Sequence, residues 1–346
     1  MTLGNPPTVN TFTFKRLPRI VSLASVVGPM EGAGPLGDFF DEVCRDDLMG
    51  EKSWEAAERL LFMSALQHCL KKAGPGPEAD LLIGGDLLNQ IVTSGYSARY
   101  FDVPFLGLYG ACSTFAESLL MGAILVDGRY RERVLCATSS HHNSAERQFR
   151  LPTEFAAQRP PVAQWTVTGA AACLIASDDA EDEETPRLVI ESATAGRVVD
   201  YDVTDPYDLG SAMAPAAVDT IMTHLRDTDR RPEHYDLILT GDLARHGRQM
   251  ALKLFEQQGA GPTEDQFVDA GEMIYGRNQN VKSGGSGCAS SACVFCGYVW
   301  DLLKRGQVKR VLIVATGALL SPLIAKQGES IPGIAHAVSV EMREPG

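Results

Sequence analysis

Hydrophobic residues in this chain fall into short continuous runs that are separated by longer amphipathic segments. The runs "RVLCAT" (133–138), "DLILT" (236–240) and "RVLIVAT" (310–316) have the pattern of strands that are covered on both faces. The segment "SWEAAERLLFMSALQHCLKKAG" (53–74) is typical of a helix, with Ser53 as its N-cap and Gly74 as its C-terminal stop. This alternation predicts an α/β fold in which helical layers cover the sheet.

The same series of elements occurs twice along the chain. Each copy has a strand ending in Gly-Asp-Leu, small residues before a helix, an Arg-Val-Leu strand and a return strand. The matching stretches are 80–90 with 236–246, 110–140 with 287–318, and 168–177 with 333–342. Because the elements keep the same order, we interpret them as a duplication. We predict an N-terminal half at residues 1–180 and a C-terminal half at residues 188–346, joined by the acidic stretch "SDDAEDEETPR" (177–187).

Charge and hydropathy exclude some classes of function. The 346 residues carry a net charge of −13. This acidity argues against nucleic-acid binding and against electrostatic docking on anionic lipid. No apolar run reaches about 18–20 residues, so we predict no membrane-spanning segment.

The use of cysteine indicates a reducing compartment. The chain has eight cysteines and begins with "MTLGNPPTVN", which lacks the features of a secretory signal. We therefore expect a cytosolic protein without disulfides. Cys293 and Cys296 form a CxxC, but no second pair or nearby histidine accompanies them. A buried helix is thus favoured over zinc, and we predict no metal and no cofactor.

The candidate chemistry lies in "YGACSTFAESL" (109–119), where Cys112 stands at the start of a helix pattern. Together with the duplicated α/β unit, this cysteine resembles the thiolase superfamily, which includes thiolases and ketoacyl synthases. The resemblance implies a thiolase-like five-layer αβαβα sandwich built from two similar halves. It also implies that Cys112 corresponds to the acyl-accepting nucleophile of those enzymes.

Longer motifs resemble one family with this fold, the stage V sporulation protein AD family. They are "GAGPLGDFFDEV" (32–43), "GDLLNQ" (85–90), "YGACST" (109–114), "ATSSHHNSAERQFRLPTEF" (137–155), "TDPYDLGSAMAPAA" (204–217), "GGSGCASSA" (284–292) and "VATGALLSP" (314–322). The resemblance covers essentially the whole chain. It implies a non-catalytic subunit that binds dipicolinic acid, alone or as its calcium salt. It also implies membrane-embedded sporulation stage V A proteins as partners in moving this compound into and out of spores.

Acyl transfer would need an activated cysteine, a base and donors for an oxyanion. The dipole at a helix N-terminus is expected to lower the pKa of Cys112 and to favour the thiolate. Ketoacyl synthases carry a histidine and an asparagine in the second half. Alignment with them puts Gly241 and Asp242 at the first place and Gly285 at the second.

Two of the three catalytic groups are therefore expected to be absent. His246 and His336 are other candidates for the base, although an isolated histidine in such a place is more often structural. We predict a binding protein that does not catalyse acyl transfer. An active thiolase-like or ketoacyl-synthase-like acyltransferase that uses Cys112 is the alternative.

A pocket for dipicolinate, a flat aromatic dianion, needs donors or cations at both ends and an apolar slot between them. We expect these groups at the helix start, after the first-half strand and at the matching place in the second half. The ligand-binding residues predicted from these places are Cys112, Ser113, Ser139, Ser140, His141, Arg147, Gly317 and Ala318. For Arg147 and Arg150, ion pairs with Glu146 or Glu154 are an equally good interpretation.

Three further expectations concern metals, assembly and location. Asp86 and Asp242 follow equivalent strands, where capping of a turn is favoured over calcium coordination. Proteins with the thiolase fold are commonly dimers, so the resemblance implies a homodimer. It also implies a protein of the cytosol and forespore, held peripherally at the spore inner membrane by its partners.

Overall fold

The computed structural model describes residues 9–75, 79–150, 158–177 and 186–344. The strands are β1 (Thr11–Thr13), β2 (Arg19–Val27), β3 (Glu42–Val43), β4 (Leu81–Gly85), β5 (Phe105–Gly107), β6 (Arg133–Ser140), β7 (Gln164–Thr166), β8 (Gly169–Ala176), β9 (Arg187–Thr194), β10 (Leu237–Thr240), β11 (Phe267–Asp269), β12 (Gly284–Ser286), β13 (Arg310–Ala318) and β14 (Gly333–Arg343). The α-helices are α1 (Pro29–Gly32), α2 (Trp54–Ala73), α3 (Val92–Ala98), α4 (Thr114–Asp127), α5 (His142–Phe149), α6 (Leu209–Asp227), α7 (Ala244–Gln258), α8 (Ala270–Met273), α9 (Cys288–Val294), α10 (Trp300–Lys304) and α11 (Pro322–Ala325). A π-helical turn, Phe295–Val299, joins α9 to α10.

The strands form two sets with the same connectivity. The order is β5-β4-β6-β8-β2 in the N-terminal set and β11-β10-β13-β14-β9 in the C-terminal set. In each set the first three strands are parallel, and the next two pairings are antiparallel. The sets meet where Arg19 and Ile20 of β2 pair with Val189 and Leu188 of β9. This repeated topology confirms the duplication that the sequence predicts.

Helices cover the two sets in the layers expected of the sandwich. Helix α2 packs on β2, β6 and β8, and α6 packs on β13 and β14. Helix α4 lies between the sets and contacts β6 and β8 on one side and β13 and β14 on the other. Helix α9 packs beside α4. The layers are therefore α2 with α3, the N-terminal strands, α4 with α9, the C-terminal strands, and α6 with α7.

Local sequence signals account for the elements. Strand β8 is buried along its whole length because helices cover both of its faces. Helix α2 begins where the Ser53 hydroxyl accepts a hydrogen bond from the Ala56 amide at 3.3 Å, and it ends at Gly74, which has φ 79°. The expected N-cap and C-terminal stop are thus confirmed.

Most of the acidic stretch 177–187 lies outside the described residues. The domain boundaries at residues 180 and 188 therefore stay a prediction.

In the described part of the chain, no helix has both the length and the apolarity needed to cross a bilayer.

A short parallel ribbon links the halves beside the candidate site. Strand β7 pairs with β12, so that Gln164, Trp165 and Thr166 lie opposite Gly284, Gly285 and Ser286. The amide of Val167 extends the ribbon by donating to the Ser286 carbonyl at 2.8 Å. The ribbon therefore places residues of both halves on one wall.

A buried carboxyl group makes a second link between the halves. Glu31 of α1 is 1% exposed. Its Oε1 accepts hydrogen bonds from the Thr168 amide at 2.9 Å and from the Tyr275 hydroxyl. Burial outweighs these hydrogen bonds and raises the pKa of Glu31 to about 7.

We predict that Glu31 makes the fold less stable as the pH rises. A carboxyl whose pKa is raised in the folded state contributes fully to stability below its unfolded value of 4.5, and this contribution is lost as the pH rises through about 7. Glutamine stays neutral, so Glu31→Gln does not lose this contribution. The melting temperature of Glu31→Gln minus that of the wild type should therefore increase from about pH 5 to about pH 8.5. The free-energy difference has an upper limit of about 3 kcal/mol. Glu233→Gln, at an exposed position, is the control. A pH-independent difference for Glu31→Gln would contradict the prediction.

Candidate functional site

Cys112 lies in a strained turn at the start of the central helix α4. The 3₁₀ turn Ala111–Ser113 leads directly into this helix. Ala111 has φ 52°, a left-handed conformation that costs energy in a residue other than glycine. A Cβ on Gly317 of β13 would lie 2.9 Å from the Gly110 oxygen and 3.0 Å from the Ser113 nitrogen. The missing side chain of Gly317 therefore allows β13 to pack against the turn and to hold it in place.

A cavity of about 320 Å³ opens beside Cys112. Its polar lining comes from Asn89, Tyr109, Cys112, Arg150, Gln164, Thr166, Ser286 and Ser321. Its apolar lining comes from Leu87, Ala111, Ala145, Phe149, Leu209, Met213, Ala318, Leu319, Leu320 and Pro322. Both halves and the β7–β12 ribbon thus contribute to one cavity that is mainly apolar and carries a few polar groups, as ligand pockets commonly do.

A cluster of buried charges surrounds Arg150, the charged residue of the cavity lining. Glu146 accepts from Arg150 at 2.6 Å and from Arg159 at 2.8 Å, and each of the three side chains is less than 10% exposed. Arg150 also lies over the ring of Tyr207, and Arg159 lies over Trp165. Two guanidinium groups therefore share one buried carboxylate. Within the described residues, the Nε of Arg150 has no hydrogen-bond partner.

The surroundings of Cys112 disfavour a thiolate. The side chain is partly exposed to the cavity, yet burial by the protein around it, followed by the charge of Asp242, raises the pKa of the thiol well above its usual range. The Gly287 amide acts in the opposite direction and does not reverse the shift. The expectation that the helix dipole would lower this pKa is therefore wrong, because desolvation is the larger effect.

The position expected for a catalytic base holds a carboxyl group. Asp242 is fully buried, and burial raises its pKa well above its usual value, with a further contribution from Asp269. None of the described residues that line the cavity is a histidine. His246 faces Ser211 at 3.2 Å, and His336 accepts from the Gly196 amide at 3.2 Å. Neither contact involves the Cys112 sulfur.

At the second expected catalytic position, the residue that reaches the cavity is one place after the residue that the alignment gives. A Cβ on Gly285 would face Val167, Tyr275 and Ile274, whereas the next residue, Ser286, lines the cavity. Strand alternation explains this difference. Cys288, at the start of α9, is fully buried, packs against Cys112, and donates from its sulfur to the Ala111 carbonyl at 3.1 Å. The duplication pairs "GACST" with "GCASS", and this was the signal for Cys288 in the sequence.

Four of the predicted ligand-binding residues use their polar atoms inside the protein and do not line the cavity. The Ser113 hydroxyl donates to the Gly110 carbonyl at 2.6 Å, and the Ser139 hydroxyl donates to Glu58 at 3.1 Å. The Ser140 hydroxyl donates to the Val167 carbonyl at 2.7 Å and accepts from the Ala289 amide at 3.2 Å. His141 Nε2 lies 2.7 Å from the Asp47 carbonyl oxygen. Their hydrogen-bonding capacity stabilises the fold around the site.

The other four predicted residues have different positions. Cys112 and Ala318 line the cavity. Gly317 lies behind the cysteine turn, as described above. Arg147 forms an ion pair with Glu55 and lies over Trp54, on the outer side of α5. Arg147 is therefore paired, as the alternative interpretation allowed, but its partner is Glu55. Glu154 lies outside the described residues.

Arg150 is the charged residue that the structure brings to the cavity. The sequence shows it as a candidate donor beside Arg147, but its direction depends on where α5 ends. The helix ends at Phe149, and Arg150 leaves it with φ −134°. The side chain then reaches the cavity and pairs with Glu146. An end of the helical pattern at Phe149 would have been the local sequence signal that Arg150 leaves the helix.

Asp86 and Asp242 differ, although they are in equivalent positions. Asp86 accepts from the Leu88 amide at 2.9 Å and from the Ser94 amide at 2.8 Å, so its role in capping a turn is confirmed. Within the described residues, neither carboxyl oxygen of Asp242 has a hydrogen-bond partner. In that same part of the chain, no group of three or more His, Cys, Asp or Glu side chains is arranged to hold a metal ion.

Solved structures with this architecture define the class of the protein. The 3-oxoacyl-[acyl-carrier-protein] synthase III of Aquifex aeolicus VF5 has a TM-score of 0.55 at 13% identity, over 94% of this chain and 99% of that one. OleA of Xanthomonas campestris, bound to cerulenin, has a TM-score of 0.60 at 14% identity, over 97% of this chain and all of that one (100%). At such identities the likeness establishes the fold alone, and the chain has the thiolase fold.

Sequence comparison gives the family. Residues 8–341 match the family described as Stage V sporulation protein AD. The Stage V sporulation protein AD of Bacillus subtilis (strain 168) is 45% identical over 332 residues, which cover 96% of both chains. The chain belongs to the stage V sporulation protein AD family.

We predict that Cys112 reacts slowly with alkylating agents at neutral pH. Because its pKa is well above the usual range, the rate of labelling by iodoacetamide should rise with pH, approaching tenfold per pH unit, without levelling off below about pH 8.5. The other seven cysteines are buried, so brief labelling followed by mass spectrometry reports on Cys112. Cys112→Ser is the blank. A plateau below about pH 7 would show an activated thiolate and contradict this account.

We also predict that Gly317→Ala displaces the cysteine turn. The new Cβ would meet backbone atoms of Gly110 and Ser113, which cannot swing aside as a side chain could. Thermal unfolding should show a loss of about 1–3 kcal/mol. Gly95→Ala is the matched control, since a Cβ there meets open space within helix α3. Equal melting temperatures for Gly317→Ala and the wild type would refute the proposed contact.

Proposed function

We propose that this protein is a non-catalytic subunit that binds dipicolinic acid in a spore transport apparatus. In this role it supports uptake of dipicolinate, with calcium, during sporulation and release of dipicolinate in germination. Two findings support the proposal. One is membership of the stage V sporulation protein AD family. The other is a cavity of about 320 Å³ beside Cys112, whose described lining includes no histidine. The observation that carries most weight is Arg150, a charged side chain that lines this mainly apolar cavity.

The lining of the cavity suits a flat aromatic dianion. The Arg150 guanidinium group lines the cavity and is a charged hydrogen-bond donor, which favours a carboxylate. The apolar side chains of Leu87, Phe149 and Met213 offer a slot for the ring. The Thr166 and Ser286 hydroxyls are further donors on the β7–β12 ribbon. Calcium would accompany the ligand as its counterion.

The surroundings of Cys112 favour binding over acyl transfer. A nucleophilic cysteine needs a lowered pKa or an adjacent base. Here the pKa of the thiol is raised, and the buried neighbour that replaces a base is Asp242, which is itself held towards its neutral form. In the proposed role, Cys112 is a wall of the ligand cavity.

A homodimer and membrane partners complete the proposal. Strand β5 lies at the end of the N-terminal set, and its Leu106 is 46% exposed. Tyr96 and Tyr100 are exposed nearby, so this edge combines unpaired backbone with apolar surface, as an interface between copies would. Membrane-embedded stage V A proteins would hold such a dimer peripherally at the inner membrane of the forespore and spore.

We predict that Arg150→Gln weakens dipicolinate binding by at least tenfold, because it removes the charged hydrogen-bond donor from the cavity. Arg147→Gln is the matched control, since Arg147 lies in the same segment but pairs with Glu55 outside the cavity. Isothermal titration calorimetry with the full chain measures both. Equal losses in the two variants, or none in Arg150→Gln, would argue against this binding site.

The alternative is tested with the same protein. Incubation with acetyl-CoA, followed by mass spectrometry, should show no acylated Cys112. A stable thioester with turnover would favour the acyltransferase. Absence of both saturable dipicolinate binding and acylation would leave a structural subunit.

A further inference from the structure

The loop between β13 and β14 is unusually long for its place in the sheet. The two strands are antiparallel neighbours, yet residues 319–332 lie between them. Such neighbours are commonly joined by about two to five residues. The ends of the loop lie close together, because the Leu319 amide donates to the Pro332 carbonyl at 2.8 Å. Compact loops with adjoining ends are frequently functional, so this loop is a candidate for a function of its own.

Both ends of the loop are held in place by the C-terminal half. At the first end, Gly317 packs against the cysteine turn, and Leu320 packs against the hydrophobic core. At the second end, the Ile331 amide donates to the Val203 carbonyl at 2.7 Å. A Cβ on Gly333 would lie 2.4 Å from a backbone oxygen of α6, so β14 packs closely on this helix. These contacts leave the middle of the loop free to move.

The middle of the loop, residues 321–328, is here called the tip segment and contains α11. Among the described residues, every hydrogen bond of the tip segment joins two of its own members. The Ala325 amide donates to the Ser321 carbonyl at 2.9 Å, and the Gly328 amide donates to the Ala325 carbonyl at 3.1 Å. Gly328 has φ 91° and is surrounded by open space, so backbone rotation there meets little resistance. The tip segment can therefore move as one unit.

The tip segment lies at the edge of the ligand cavity. Ser321 and Pro322 line the cavity, whereas the next two residues do not. Leu323 is 67% exposed and Ile324 is 42% exposed. Two neighbouring aliphatic side chains are thus in solvent beside a mainly apolar cavity, and a movement of the segment over the cavity would remove them from water.

We propose, on the basis of the proposed function, that the tip segment is a lid that closes over the occupied cavity and places Leu323 against the aromatic ring of the ligand. Closure turns the segment about Leu320 and Gly328, while the contacts at Gly317 and Gly333 hold the strands in place. The ring supplies the apolar surface that Leu323 covers, so ligand binding favours the closed form. The ligand leaves only after the lid opens, which slows its release.

Hydrogen–deuterium exchange of the full-length wild type, with and without saturating dipicolinate, tests closure directly. Amides of residues 323–328 should exchange at least about fivefold more slowly in the complex. The exposed turn at residues 128–132, where Tyr130 is 70% exposed, is the internal control and should be unchanged. Equal exchange of residues 323–328 with and without bound dipicolinate would overturn the inference.

Leu323→Ser separates a closing lid from a static cavity. Because Leu323 does not line the cavity, a static cavity predicts no effect on binding. A closing lid predicts a Kd about five- to tenfold higher, mainly through faster dissociation. Leu48→Ser is the matched control, since Leu48 is 40% exposed and also lies outside the lining. Isothermal titration calorimetry measures Kd, and surface plasmon resonance on the immobilised protein measures the dissociation rate.

The outcomes distinguish the lid from the proposed function. Wild-type Kd and dissociation rate in Leu323→Ser, or an equal loss of affinity in Leu48→Ser, would overturn the lid and leave the proposed function intact. Absence of saturable dipicolinate binding by the wild type would instead overturn the proposed function. Leu323 is exposed, so the melting temperature of Leu323→Ser should match that of the wild type, and a change in binding then reports on closure.

Discussion

The close contact between β13 and the cysteine turn is the constraint on which the candidate site depends. Gly317 brings the backbone of the C-terminal half against Gly110 and Ser113 of the N-terminal half. This contact holds Ala111 in its left-handed conformation and fixes the start of α4. The backbones of the two halves are therefore in direct contact where they shape the cavity. Any change that separates these two backbones alters the turn, the cavity wall and the surroundings of Asp242 together.

Burial, more than the helix dipole, sets the electrostatics of this site. A helix N-terminus contributes a partial charge that is effective only when little else opposes it. Around Cys112, the loss of solvent is the larger effect, and the neighbouring acid adds to it. The same loss of solvent keeps Asp242 neutral and makes the paired charges of Arg150, Arg159 and Glu146 strong. The site combines the Arg150 guanidinium group at the cavity wall with neutral groups, a set suited to holding an anion.

The sequence predicted the architecture better than the cavity. Apolar runs and repeated motifs depend on burial and chain order, so they indicated a duplicated α/β unit. The resemblance to the thiolase superfamily implied the five-layer sandwich and the place of Cys112. The direction of Ser139 and Ser140 depends on partners far away in the chain, Glu58 and the Val167 carbonyl. Such contacts leave no local pattern, and both hydroxyls point into the protein. Arg150 was harder to place than Arg147 because the helix ends just before it.

The duplication also bears on how many ligands one chain can hold. Two equivalent halves offer two equivalent helix starts, one at Cys112 and one at Cys288. The helix start at Cys112 borders the cavity. The helix start at Cys288 is fully buried, and the Cys288 sulfur donates a hydrogen bond to the Ala111 carbonyl in the cysteine turn of the other half. The two helix starts have thus diverged: one borders the cavity, and the other packs inside the protein. Occupancy should accordingly saturate at a stoichiometry of one per polypeptide.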